Sequence, residues 1–153
     1  MLNTLSPRAT SLTIGLVALA VIAGAWIFEA AGYLPCELCL LQRWAYYIGV
    51  PWALALALLN PPWLKQALWL LVLLWAGSAA FGAYHSGVEW GFWQGPTTCS
   101  GGGGLGNGEG LPDLSKPAVM CNEAAIRILG LSLAGWNAVI SAALAVLAWR
   151  RAV

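Results

Sequence analysis

The sequence predicts an all-α membrane protein: a four-helix transmembrane bundle with a long extracytoplasmic loop between helices 3 and 4. Three observations carry this reading. The 153 residues are 60% hydrophobic and only 8% charged, against about 45–50% and about 25% in an ordinary soluble domain. Four apolar runs, at residues 11–31, 40–59, 66–85 and 128–149, each come close to the roughly 20 residues a helix needs to cross about 30 Å of hydrocarbon. Between the third and fourth runs, residues 86–127 turn polar and glycine-rich. A chain of this length has no room for a separate soluble module, so residues 1–153 are expected to form a single integral membrane domain.

The runs are read as helices because backbone groups in lipid must be satisfied within the segment. Arg8 and an Ala23-Gly24-Ala25 stretch give the first run some look of a secretory signal. Its apolar residues continue through Trp26, Ile27 and Phe28, beyond the usual signal core of about 7–15 residues, so the run is expected to be retained as a span. Small residues at helix-packing spacing, Ser78 with Gly82 and Gly130 with Ala134, would let helices approach closely.

Four spans put both termini on one side. That side carries Arg8, Lys65, Arg150 and Arg151, and the other carries Arg43, Lys116 and Arg127. The positive-inside bias then places the termini in the cytoplasm. The cysteine-bearing segments face the opposite, oxidising side, where disulfides persist. A net charge of +1 offers no basic surface for nucleic acid.

The chemistry rests on four cysteines. Cys36 and Cys39 form a Cys-x-x-Cys in PCELC, and Cys99 and Cys121 bracket the glycine-rich SGGGGLGNGEG. That segment reads as flexible coil, and with no Lys-Ser/Thr after its glycines it is not a phosphate loop. Flexibility there would leave Cys99 exposed to another protein's thiol. Residues 112–125 are a candidate interfacial helix that would hold Cys121 at the membrane surface. Cys39 falls near the start of the second run, where free amides and the helix dipole favour a thiolate. Arg43 follows Cys39 by four residues, on the same helical face. An arginine one turn into a span needs a partner, which a thiolate or a ligand's carbonyl oxygen would supply. The four sulfurs could instead hold zinc, although Cys99 and Cys121 are spaced too widely for an ordinary half-site. A third reading is a non-catalytic membrane protein with structural disulfides.

PCELCLLQR, Ala83-Tyr84-His85, the two loop cysteines and GLSLAGWN together resemble the disulfide bond formation protein B (DsbB) family, over essentially the whole chain. The resemblance implies a quinone-dependent protein thiol-disulfide oxidoreductase of the bacterial inner membrane. Its redox disulfides would be Cys36–Cys39 and Cys99–Cys121. Its partner would be a periplasmic thioredoxin-fold oxidase resembling DsbA, and its cofactor ubiquinone or menaquinone. The partner would attack at Cys99, Cys121 would engage Cys36, and Cys39, Arg43 and His85 would face the quinone. The vitamin K epoxide reductase family shares a four-helix bundle, a Cys-x-x-Cys and quinone chemistry. It places the motif late, at the end of a helix, whereas here it opens the second.

Overall fold

The computed structural model describes residues 6–96 and 120–153. Within them lie four helices, α1 (Pro7–Ala30), α2 (Glu37–Leu59), α3 (Leu64–Glu89) and α4 (Leu133–Ala152), and a two-stranded ribbon, β1 (Arg127–Ile128) with β2 (Leu131–Ser132).

Each boundary has a local cause. Ser6 caps α1 by accepting from the Ala9 amide, and Pro7 occupies the first turn, where a missing N–H costs nothing. Ala23, Gly24 and Ala25 lie inside the uninterrupted α1. Asn60 ends α2 in the left-handed conformation, and Pro61 and Pro62 follow it. α3 continues to Glu89, so residues 86–89, expected in the loop, are helical. Its end is fixed by Trp93, whose indole folds back to donate to the Tyr84 carbonyl at 2.9 Å. Gly87 lets the ring lie there, since a Cβ at this position would come within 2.1 Å of it.

The fourth apolar run begins differently from the expectation. Residues 127–132 form an antiparallel hairpin rather than the first turns of a span. Leu129 and Gly130 both take positive φ, as a tight two-residue hairpin turn requires. Gly130 therefore serves the turn and not helix packing. Ser132 then caps α4 through the Gly135 amide.

α3 and α4 pack most extensively, followed by α1 and α2. Gly82 makes the α3–α4 contact close: a Cβ there would stand 2.9 Å from the Ala138 nitrogen and 3.1 Å from the Ala134 oxygen. One turn away, the Ser78 and Ser141 hydroxyls share a hydrogen bond at 3.0 Å. The expected small-residue seam at Ser78 and Gly82 is thus present. Ile14, Ala18, Tyr46, Leu68, Leu71, Trp75 and Leu144 form the core, while Leu16, Ile27, Ile48, Leu58, Leu70, Leu73 and Val139 point outward. An apolar exterior of this extent suits lipid rather than water.

α1, α3 and α4 are long and apolar enough to cross a membrane. α2, with 23 residues, is long enough but is not among them, because Gln42, Arg43, Tyr46, Tyr47 and Pro51 interrupt it. Arg8, Asn60 and Lys65 gather at one end of the bundle, and the Arg8 guanidinium donates to the Ala57 carbonyl. Cys36, Cys39 and Cys121 lie at the other end.

Candidate thiol site

Cys36 is the N-cap of α2, and its sulfur accepts the Cys39 amide at 3.2 Å. The free amide at the helix start is thus spent on Cys36, where the sequence had suggested Cys39. The two sulfurs are 2.7 Å apart and unbridged. The hydrogen bond from the Cys39 thiol is the foremost influence that pushes the Cys36 thiol down to about 5. Burial opposes it, and His85 adds to it.

His85, near the end of α3, is buried with its Nε2 at 3.6 Å from the Cys36 sulfur. Its Nδ1 is 2.6 Å from the Gln42 amide nitrogen. With that amide donating to Nδ1, the ring proton sits on Nε2 and faces the sulfur. Glu89, one turn along α3, brings Oε1 to 3.9 Å from the same Nε2. Arg127, at the start of the hairpin, lies over the Trp90 ring at 4.9 Å and ties the ribbon to the end of α3.

Cys39 turns the other way. It lines a cavity of about 340 Å³ between α1, α2, α4 and the hairpin, with Arg43, Gln42, Asn137, Tyr33 and Tyr46 also on its wall. Most of the wall is apolar, including Ile22, Phe28, Leu34, Leu133 and Ile140. Size and lining match those of small-molecule sites. Arg43 shares the helical face of Cys39, as expected, but its partner is Glu29 at the end of α1, 2.6 Å away. Tyr46 donates to Asn137 beneath the cavity and so joins α2 to α4.

Cys36 and Cys121 belong to one buried cluster with Leu38 and Val88, and Cys121 is disulfide-bonded. A four-sulfur zinc site is therefore not present in this state. Residues 120–125 are not helical. The rest of the candidate interfacial helix, Cys99 and residues 100–110 lie outside the described residues.

The structure thus brings Cys39 and Arg43 to the cavity, and Cys36, His85 and Cys121 to the packed side behind it. His85 is not among the cavity-lining residues. Glu29, Gln42 and Glu89 were not singled out from the sequence. Gln42 had a readable signal, a polar residue one turn after Cys39 in an apolar helix. Glu89 had a weaker one, four residues after His85 at the end of an apolar run.

A bundle of apolar helices closing over a dithiol at one end defines a multi-pass membrane protein of thiol–disulfide chemistry. The chain belongs to the DsbB family, matching the family described as "Disulfide bond formation protein DsbB" over residues 7–150. It is similar to the uncharacterized protein RP370 of Rickettsia prowazekii (strain Madrid E), with 30% identity over 136 residues that cover 85% of this chain and 77% of the relative. No solved structure matches it.

Proposed function

We propose that this protein reoxidises a reduced, thioredoxin-like dithiol protein outside the cytoplasm and passes the electrons to a membrane quinone. The observation that carries the reading is the division of the Cys-x-x-Cys. Cys39 opens on an apolar cavity beside Arg43, and Cys36 packs with Cys121.

The fit to a quinone rests on that cavity. Its walls suit a ring and an isoprenoid tail, and the Arg43 guanidinium suits a carbonyl oxygen. When bound, a quinone would accept two electrons and two protons and leave the Cys36–Cys39 pair as a disulfide. Ubiquinone and menaquinone both meet these terms.

The thiol chemistry follows from the residues. A partner thiolate attacks Cys99 of a Cys99–Cys121 disulfide and forms a mixed disulfide, with Cys121 leaving as thiolate. The partner's second thiol resolves that bond, so the partner departs oxidised and Cys99 is left reduced. Cys121 attacks Cys36 of the Cys36–Cys39 disulfide and expels Cys39 as thiolate. Cys99 then attacks Cys121, restoring the loop disulfide and releasing Cys36. His85 directs its Nε2 proton at the Cys36 sulfur and stabilises it as leaving thiolate. Arg43 lies on the cavity wall beside Cys39, where negative charge develops.

In this reading α2 is the fourth span. Its polar residues fit that role because they are covered: Gln42 and Tyr46 are buried, and Arg43 is 11% exposed and paired. Intramembrane polar groups normally face the bundle interior in this way. Both termini would lie in the cytoplasm of a bacterial inner membrane, with the cysteines on the periplasmic side.

A thioredoxin-like dithiol substrate whose second cysteine is replaced by serine tests the partner step. Its remaining thiolate should attack the Cys99–Cys121 disulfide and stay linked to Cys99, since no second thiol is left to resolve the bond. Absence of any Cys99-linked adduct would refute the partner assignment.

A further inference from the structure

Cys36 Sγ, Cys39 Sγ and His85 Nε2 all lie within 4.8 Å of one another. A tetrahedral zinc ion, with Zn–S of about 2.3 Å and Zn–N of about 2.0–2.1 Å, holds two sulfurs about 3.8 Å apart and a sulfur and a nitrogen about 3.6 Å apart. Cys36 Sγ and His85 Nε2 already stand at 3.6 Å. The sulfurs, now 2.7 Å apart, would need to separate by only about 1 Å. Cys39 borders the cavity and has room to make that move.

A fourth ligand lies beside His85, just outside this three-residue group, and would close on the sulfurs as the ion binds. Glu89 Oε1 lies 3.9 Å from the same Nε2, and its side chain is 5% exposed. Ser132 hydrogen-bonds to the carboxylate, but its other oxygen, Oε2, is buried with no hydrogen-bond partner among the described residues. A buried, unsatisfied carboxylate oxygen is costly, and a cation beside His85 would satisfy it. The second histidine nitrogen also has a suitable neighbour. Metal-bound histidines donate their other N–H to an acceptor, and a half-turn of the Gln42 amide presents its oxygen to Nδ1 in place of its nitrogen.

We propose that the reduced protein binds one zinc ion through Cys36 Sγ, Cys39 Sγ, His85 Nε2 and the Glu89 carboxylate. Both sulfurs bind as thiolates, any thiol proton passes to solvent and no electrons move, so the site exists only in the dithiol state. Bound zinc and the Cys36–Cys39 disulfide exclude each other, and the ion holds the pair reduced. Soft sulfur ligands select zinc and its heavier congener cadmium over calcium or magnesium. The site is separate from a four-sulfur site with the loop pair, and it stands whether or not the electron acceptor is a quinone.

The test uses the full-length protein in detergent, reduced with a phosphine and titrated anaerobically with Zn²⁺ against a chromophoric chelator. Reduced wild type should bind one equivalent, and the diamide-oxidised protein, the same fold without the free thiols, should bind none. A Cys99→Ser/Cys121→Ser double variant should keep the site. Glu89→Gln and His85→Ala, checked for helix content, should each weaken it by at least about tenfold. Cobalt substitution should give the tetrahedral visible spectrum with thiolate charge-transfer bands. Reduced wild type without stoichiometric zinc would overturn the proposal. So would loss of the site in the double variant, or unchanged affinity in both Glu89→Gln and His85→Ala.

Discussion

The Cys36 sulfur holds the Cys39 amide at 3.2 Å and His85 Nε2 at 3.6 Å. Two donors converge on one buried sulfur, and a third comes from the Cys39 thiol. Each favours the thiolate over the thiol.

The pH dependence follows directly. A free cysteine ionises near about 8.5, and Cys36 is pushed down to about 5 by the Cys39 hydrogen bond first and His85 next, against the effect of burial. Below that value the pair carries two thiols, and above it one thiolate. In a reduced, metal-free Cys99→Ala/Cys121→Ala variant, the ultraviolet thiolate absorbance should rise by one equivalent as pH passes upward through about 5. Adding His85→Ala should move that midpoint upward.

The Glu29–Arg43 pair leads to a second prediction. Glu29 is 41% exposed, so the ion pair should contribute little stability, under about 1 kcal/mol. Its effect is to hold the guanidinium at the cavity wall. Glu29→Gln should leave thermal unfolding nearly unchanged and raise the KM for quinone by several fold with kcat largely retained. Arg43→Ala should lower kcat/KM by about tenfold or more, on the order of 1.4 kcal/mol. Equal KM values for wild type and Arg43→Ala in steady-state kinetics would remove Arg43 from the quinone site.

Packing gives a third. Gly82 faces α4 backbone, which cannot step aside as a flexible side chain would. Gly82→Val should destabilise the bundle by about 1–3 kcal/mol, seen as a lower unfolding midpoint in detergent. Gly77, with nothing among the described residues within 4 Å of its Cβ position, should accept alanine without that loss.

Much of this was legible in the sequence, for physical reasons. A span must be apolar over its whole length, so composition alone marks α1, α3 and α4. Cysteine pairs and an arginine inside an apolar run are rare enough in lipid to stand out singly. Gln42, Glu29 and Glu89 are ordinary residues whose meaning comes only from what α1 and α3 bring beside α2. The hairpin at residues 127–132 was hidden because Ile128, Leu129 and Leu131 run on into the apolar helix that follows. Gly130 in the turn and Ser132 at the cap were its signals. The N-cap fell on Cys36 because its sulfur accepts the Cys39 amide, a bond that motif spacing does not reveal.

The central claim is that electrons leave the dithiol through Cys39 at the apolar cavity. The most direct measurement is quinone reduction, followed by absorbance, with purified protein and a reduced thioredoxin-like dithiol substrate. Wild type should turn over with ubiquinone or menaquinone, and Cys39→Ser should show no quinone reduction while its helix content is retained. Wild-type rates in Cys39→Ser would contradict the account.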